Sequence, residues 1–589
     1  MRKKILLGMA GYVHEQRTEG SRNFTWERAH HRSLTWMTGG ETLEVNMRRP
    51  GILGGLFVAA MLTAALIGTS FFAWRVAGLP FVPFDVFDLV TRVLPGGLIA
   101  FGIGTMVTVI RALHLGPTAA SAKTAEQAMA ITDAFIVALV GGVILFFILR
   151  ARRRGNGLTV GLALGAVLGI PAMLISLHAS NTASVGPVAS AIWILGAFLV
   201  WGVVLGAAEE RLIRIDMEKA TDAIADRAVQ RIDRRRFLIT LGGATAVITV
   251  GGAAVGELAG SRRRESLMAL GSGESMRWSA THPLPNANAA VQPAPGTRPE
   301  FTPLELHYRI DINTIPPNID ESRWRLQIAG LVEQPLRFTL QDLQRYEPSH
   351  QFVTLSCISN PVGGDLIGTT RWTGVSLQRL LPDLRLKPNV THLKIRSADG
   401  FFEVVSLDAI KADPRLMLTY SWDGVPLTRE HGYPLRIYIP DVHGMKQPKW
   451  IESMEATDHW EPGFWVQRGW DRVAQIHATS VIDTVAVDMT IIRPDRSKLV
   501  PIGGIAHAGS RGISKVEVQV DGGPWQQAQI RSPLSQLTWV VWRYDWLFQS
   551  GNHTFTVRCY DGNGTPQTVT RSPAEPNGAT GLHSRSMML

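Results

Sequence analysis

The sequence predicts a chain in three parts: an N-terminal α-helical transmembrane bundle, a mixed α+β domain and a C-terminal β-sandwich. Three observations predict it. Uncharged apolar runs long enough to cross a bilayer crowd the first 260 residues. After residue 300, short β-branched runs alternate with short helical patterns. From about Ile476 the pattern is purely β.

Composition agrees with such a division. Of the 589 residues, 18% are charged, against about 25% in an average soluble chain. The first 50 residues lack apolar periodicity and read as a tail, with Met47 as an alternative start. A transmembrane domain of about five spans is expected over residues 51–208. Its candidates are Gly51–Trp74, Val93–Ile110, Ala128–Leu149, Gly155–Leu177 and Thr182–Ala208. Pro95, Pro171 and Pro187 are tolerable inside such helices. A weaker run, Phe237–Gly256, makes residues 237–259 a further anchor, preceded by a cytoplasmic segment over 209–236.

Basic flanks set the orientation. Arg150, Arg152, Arg153 and Arg154 follow one run; Arg211, Arg214 and Lys219 follow another; Arg231, Arg234, Arg235 and Arg236 precede the last. All are cytoplasmic if the polar half lies outside. Six full spans would then put Arg48 and Arg49 outside as well. A re-entrant or interfacial segment resolves the conflict, and Val93–Ile110 is the shortest candidate. The expected location is therefore the plasma membrane, multi-pass, with the polar half extracytoplasmic. The net charge of +10 follows from these helix-end clusters. They are not interleaved with aromatics, so no nucleic-acid partner is expected. Asp233-Arg-Arg-Arg-Phe-Leu238 before a mild apolar run resembles a twin-arginine export signal, and equally fits an ordinary basic flank. Residues 260–300, rich in Pro, Ala, Ser and Asn, read as a linker.

The polar half carries the chemistry. Trp324–Ile328, His392–Ile395 and Leu435–Ile439 read as strands, with helical patterns at Leu340–Tyr346 and Ser376–Leu381 between them. This is an α+β domain over 301–475. In residues 476–589, Val516, Val518 and Val520 alternate before the turn Asp521-Gly-Gly523. Phe555, Val557 and Cys559 alternate before Asp561–Gly564. A hundred residues of this kind read as an immunoglobulin-like β-sandwich. The two cysteines cannot make a disulfide framework. Cys559 reads as a small core residue. Cys357 sits where a strand, Thr354-Leu-Ser-Cys-Ile-Ser-Asn360, runs into the Gly-rich loop Pro361–Gly364. A thiolate there suits a soft metal whose other sulfurs come with a cofactor.

Several motifs, in order, resemble the sulfite oxidase-like molybdopterin oxidoreductases. They are Thr354–Asn360, Gly363–Gly368, Arg371-Trp-Thr-Gly374, Asp399-Gly400, Leu418–Gly424, His431–Arg436, Gly444-Met-Lys446 and Lys449-Trp450. In the sandwich, Gly509–Ile513 and Asp521–Trp525 are similar to that family's dimerisation domain. The resemblance implies a molybdenum–molybdopterin cofactor with Cys357 as metal ligand. It implies pterin contacts from His431, Arg436, Gly444, Met445 and Lys446, with Lys449 adding charge and Tyr308, Asn360 and Ser397 as fainter contacts. It implies Tyr420 near the metal and Arg371 as an anion-attracting group.

Two departures bear on the substrate. Pro361 and Val362 stand where sulfite oxidases carry paired arginines, and the early segment reads Tyr308-Arg-Ile-Asp311. The implied activity is therefore a two-electron oxygen-atom transfer on a small oxyanion or a sulfoxide. The alternative is a non-catalytic binding or assembly subunit on the same fold. Electrons would pass to a quinone or a membrane cytochrome. No haem site is evident, since His114 and His178 sit at helix ends. Asp133, inside an apolar run, is a functional candidate by its position alone. A homodimer is one arrangement the resemblance allows.

Overall fold

The computed structural model describes residues 33–38, 41–46, 52–151, 156–179, 182–221, 227–271 and 276–589. Two strands, β1 (Ser33–Thr38) and β2 (Glu41–Asn46), pair antiparallel, so part of the expected tail is a hairpin. Residues 1–32 lie outside the described residues. Seven helices follow: α1 (Ile52–Ala77), α2 (Val82–Val93), α3 (Gly96–Ala112), α4 (Thr118–Ala151), α5 (Gly157–Ala179), α6 (Pro187–Thr221) and α7 (Arg227–Gly271). Five helices (α1, α4, α5, α6 and α7) contain stretches long and apolar enough to cross a membrane.

Glycine sets how these helices cross. A Cβ on Gly161 would come 2.1 Å from the Gly202 carbonyl oxygen, and one on Gly206 would come 2.0 Å from that of Gly157. The α5–α6 pair therefore packs backbone to backbone, as small residues allow where lipid removes the hydrophobic drive between helices. Gly68 of α1 meets Thr249 of α7 in the same way.

Within the segment expected over Val93–Ile110, one short helix starts only at Gly96, in keeping with the re-entrant or interfacial alternative. Pro95 holds Leu94 extended, at ψ 145°, because proline disfavours the helical region for the residue before it. The helix beyond it, α3, is 17 residues, about 26 Å against a hydrocarbon core of about 30 Å. Its first residue presses on the polar half: a Cβ on Gly96 would lie 2.2 Å from the Arg468 carbonyl oxygen. Arg92, at the end of α2, donates to Asn313 Oδ1 (2.7 Å) and to the Asp399 carbonyl (2.9 Å). The connection from α1 to α4 thus lies on the side of the polar half.

Two further boundaries shift. Helix α6 continues to Thr221 and α7 starts at Arg227, so most of the segment expected over 209–236 is helical. The expected linker is not free chain either. Helix α7 runs to Gly271, and residues 276–300 strap both polar domains. Ser279 donates to Asp423 from its amide (2.9 Å) and hydroxyl (2.7 Å). Buried Glu300 accepts from Asn286 Nδ2 (2.6 Å) and Arg531 Nε (3.0 Å). Composition flags the strap as linker because much of its order comes from partners more than 100 residues away.

The α+β domain has two sheets. One runs β10 (Val425–Pro426), β9 (Met417–Trp422), β6 (Ile367–Ser376), β5 (Ser349–Ser356), with β11 (Arg436–Tyr438) also on β9. The other runs β4 (Leu336–Phe338), β3 (Leu326–Gly330), β12 (Ile451–Thr457), β7 (His392–Ser397), β8 (Phe402–Ser406). Strands β3 and β12 are parallel and the other pairs antiparallel. Leu326, Ile395, Leu418, Ile437 and Met454 fill the core.

The C-terminal part is two facing sheets. One is β13 (Thr479–Val485), β15 (Lys498–His507), β19 (Val540–Leu547), β18 (Gln529–Ile530), with β14 (Ile491–Ile492) on β15. The other is β17 (Gln526–Gln527), β16 (Ile513–Val520), β20 (Asn552–Asp561), β21 (His583–Met588). Ile502, Val516, Trp542, Phe555 and Cys559 form their shared core.

Replacing Arg531 by Ala strands Glu300 as a buried charge. Denaturant unfolding of the full chain should show a loss of about 3–5 kcal/mol, and an unchanged midpoint would show that the strap is dispensable.

Candidate functional site: a buried thiol at the meeting of two halves

Strand β5 delivers Cys357 to the domain surface that faces the helices. The loop after it is closed on itself. The Cys357 amide donates to the Leu366 carbonyl (3.0 Å), and Asn360 Oδ1 accepts from the Leu366 amide (3.0 Å). The thiol is buried, with Sγ 3.0 Å from Ser359 Oγ. Burial pushes its pKa up, while Ser359 and the Lys449 ammonium pull it back. Its roof comes from the other half of the chain: Ala119, in the first turn of α4, packs on Cys357 with Leu366. Asp365 Oδ2 accepts from the Thr118 amide (2.8 Å) and pins that turn.

Around the thiol lies a cavity of about 520 Å³. Of the residues expected at the site, Cys357, Tyr308, His431, Arg436, Gly444, Met445 and Lys449 line it. Gly444 permits a close approach, since a Cβ there would sit 3.0 Å from the Tyr308 phenol oxygen. Arg436 is buried over the Trp372 ring, 4.7 Å from its centroid, and donates to the His431 carbonyl (3.2 Å). Burial pushes its pKa down to about 10. Among the described residues it has no carboxylate partner. A buried cation without a counter-charge is costly, and an anionic ligand would offset that cost.

Lys449 and Arg309 converge on Asp311, at 3.3 Å and 2.7 Å, and Lys123 of α4 reaches the same carboxylate at 3.1 Å. Burial alone would raise Asp311, but the three cations hold it well below the carboxylate range. Burial lowers Lys449 despite Asp311. It also lowers His431, and takes His307 to about 4.

Other expected residues lie apart from the cavity lining. Tyr420 shares a face of β9 with Leu418 and packs into the domain core, because side chains alternate along a strand. The tyrosine beside Cys357 is Tyr308 instead. Arg371 lies on the opposite face of β6 from Trp372, over the Trp278 ring at 5.0 Å. Lys446 belongs to a tight turn whose successive side chains diverge, and its ammonium pairs with buried Glu403 at 2.7 Å. Asn360 locks the loop and lines a smaller pocket behind it, with His443 and His507. Ser397 is buried with its hydroxyl unpartnered, outside the cavity lining. Sequence reasoning missed His307, Asp311, Asp399 and Trp470, all of which line the cavity. Asp311 closes the segment Tyr308–Asp311 and was in reach of a sequence reading; Trp470 carried no signal.

Residues 313–465 match the family described as oxidoreductase molybdopterin binding domain. Over these residues the chain is similar to the sulfite oxidase-like molybdopterin oxidoreductases. Relatives include mitochondrial sulfite oxidase of Rattus norvegicus, 29% identical over 44% of this chain and 55% of the relative. Sulfite oxidase of Arabidopsis thaliana is 26% identical over 38% of this chain and 69% of the relative. An inducible nitrate reductase of Glycine max is 25% identical over 40% and 32%. The chain spans about half the length of the first of these. The crystal structure of the sulfane dehydrogenase SoxCD of Paracoccus pantotrophus aligns with a TM-score of 0.43 at 22% identity, over 51% of this chain and 82% of that one.

The molybdopterin group that the family implies fits the residues present. They offer a buried thiol, a buried guanidinium without a carboxylate, and a glycine that keeps the wall open.

The site also carries a pH signature. His307 binds its proton near pH 4 when folded and near 6.5 when unfolded. The unfolded chain therefore binds more protons between those values, so the contribution is complete above pH 6.5 and is lost as pH falls toward 4. Between pH 7 and pH 4, wild type should lose about 3 kcal/mol more stability than His307→Gln. Parallel unfolding curves for the two proteins would remove this assignment.

Proposed function

We propose that the chain is a membrane-anchored molybdopterin-dependent oxidoreductase performing a two-electron oxygen-atom transfer on a small oxyanion or sulfoxide. The observation that carries this reading is Cys357 in the floor of a cavity shared with Arg436, a buried cation without a carboxylate partner among the described residues. The relatives, sulfite oxidases and nitrate reductases, support the reaction class.

Bound there, the cofactor would supply a metal that cycles between two oxidation states and exchanges an oxygen atom with substrate. The chain's own residues prepare that chemistry. Cys357 acts as a ligand only after losing its proton. The Ser359 hydroxyl, 3.0 Å from Sγ, is placed to donate to the thiolate, and the Lys449 ammonium favours the charged form. Arg436 would hold the anionic end of the pterin, with His431 as a neutral hydrogen-bonding neighbour. Gly444 and Met445 would form the wall against it. Tyr308, kept protonated by burial, is an O–H donor beside the thiol. Ala119 and Leu366 keep bulk water away.

The site is placed on the outer face of the plasma membrane. Supporting this, the α1–α4 connection touches the polar half, while Arg150 and Arg211 lie toward the far ends of α4 and α6. Five crossings then leave Arg48 and Arg49 inside. The facing C-terminal sheets are read as an immunoglobulin-like dimerisation-type domain, and Arg234–Arg236 as a twin-arginine-like anchor start.

Protein from a cofactor-competent host should contain one molybdenum per chain. Cys357→Ser should retain less than a tenth of it, and Arg436→Met should lower pterin content at least tenfold. Both are read by elemental analysis and by fluorescence of the extracted, oxidised pterin. Wild-type protein without molybdenum would end this reading.

A further inference from the structure

The cavity around Cys357 does not end in the soluble domain. It continues between α3 and α4, where Leu98, Ile103, Met106 and Val107 form its walls. Phe101 and Met129, at its edge, are exposed to the surroundings of the helices. On α4, five positions share one face at steps of three and four: Ala119, Ala122, Glu126, Met129 and Asp133. Ala119 packs on Cys357, and the other four line the cavity. From first to last the face runs about 21 Å along the helix, so it leads from the thiol into the apolar zone.

Two polar features of this passage have no structural use. Asp133 makes no hydrogen bond or ion pair among the described residues, although an ionisable group inside a span is costly. Trp470 lines the thiol end with its indole N–H buried and without a partner among the described residues. A small anion gains nothing from the apolar walls. A lipid tail would fill them but leave the N–H without a role. A flat carbonyl-bearing ring on a long apolar tail meets both.

We propose that this cavity is a binding site for a membrane quinone, the electron partner of the reaction proposed at Cys357. The inference rests on that reading and deepens it. The ring lies at the thiol end, with one carbonyl accepting from Trp470, and the tail leaves between α3 and α4. The balance closes without another reagent. In the oxidising direction, substrate, water and quinone give oxygenated substrate and quinol. The oxygen comes from water, two electrons leave the substrate, and two protons end on the quinone oxygens by way of Glu126, the α4 carboxylate nearer the thiol. The reducing direction runs each transfer backward.

The test uses the full chain in phospholipid nanodiscs and a photoreactive short-tailed azidoquinone. Peptides of α3 and α4 should carry the label, and decylubiquinone should compete it away. Gly102→Trp fills the cavity from a position where an added Cβ meets nothing within 4 Å, and should cut labelling at least tenfold. Its unfolding midpoint and molybdenum content serve as controls. If that variant proves unstable, Met106→Phe replaces it. Label spread evenly over the helices, label that decylubiquinone does not displace, or undiminished labelling of a stable cavity-filling variant would overturn the site. Viologen-linked or ferricyanide-linked turnover of wild type separates the two readings. Turnover without quinone binding sinks this inference alone, and quinone binding without turnover or molybdenum sinks the proposed function alone.

Discussion

Asp311 is the knot of this molecule. One buried carboxylate is gripped by Arg309 and Lys449 from the polar half and by Lys123 from α4, a helix long and apolar enough to cross a membrane. A lone buried charge is expensive, and removing any partner leaves the rest uncompensated. The three cations would repel one another without it. The same carboxylate therefore joins the two halves of the chain and sets the position of Lys449 beside the thiol. Lys123 adds carbonyl contacts to Asp311 (3.0 Å) and Asn313 (2.9 Å), so the docking is directional as well as electrostatic.

Around this knot several other interface contacts are charge-assisted. Asp88 of α2 accepts from the Thr314 amide (2.9 Å) and hydroxyl (2.6 Å), and Asp365 accepts from the first turn of α4. These are charge-assisted bonds made in partly dry surroundings, stronger than neutral ones. Most of them fall on residues 311–314, the start of the molybdopterin domain. The helical half thus supplies part of the site wall rather than only an anchor.

The architecture was largely legible, because apolar run length and strand alternation are local signals. Cys357, His431, Arg436 and Gly444 were legible because their motifs are contiguous. The expected residues that lie apart from the cavity do so for geometric reasons. Tyr420 and Arg371 were placed by neighbourhood in sequence, and the period of two along β9 and β6 turned both away. Lys446 was lost to the divergence of a tight turn. Trp470, Asp311 and Ala119 meet at the cavity from segments up to about 350 residues apart, a convergence no local pattern encodes. The start of α3 was half legible: Pro95 was in view, but the docking of Gly96 on Arg468 was not.

Ala119 carries a consequence for biogenesis. The helix that bears it is made early, while the domain that bears Cys357 is made late. Once the two halves dock, α4 roofs the thiol, and Asp365 and Asp311 hold that roof down. The covered form of the site therefore exists only once both halves have been made, and the passage that remains open to it runs between α3 and α4.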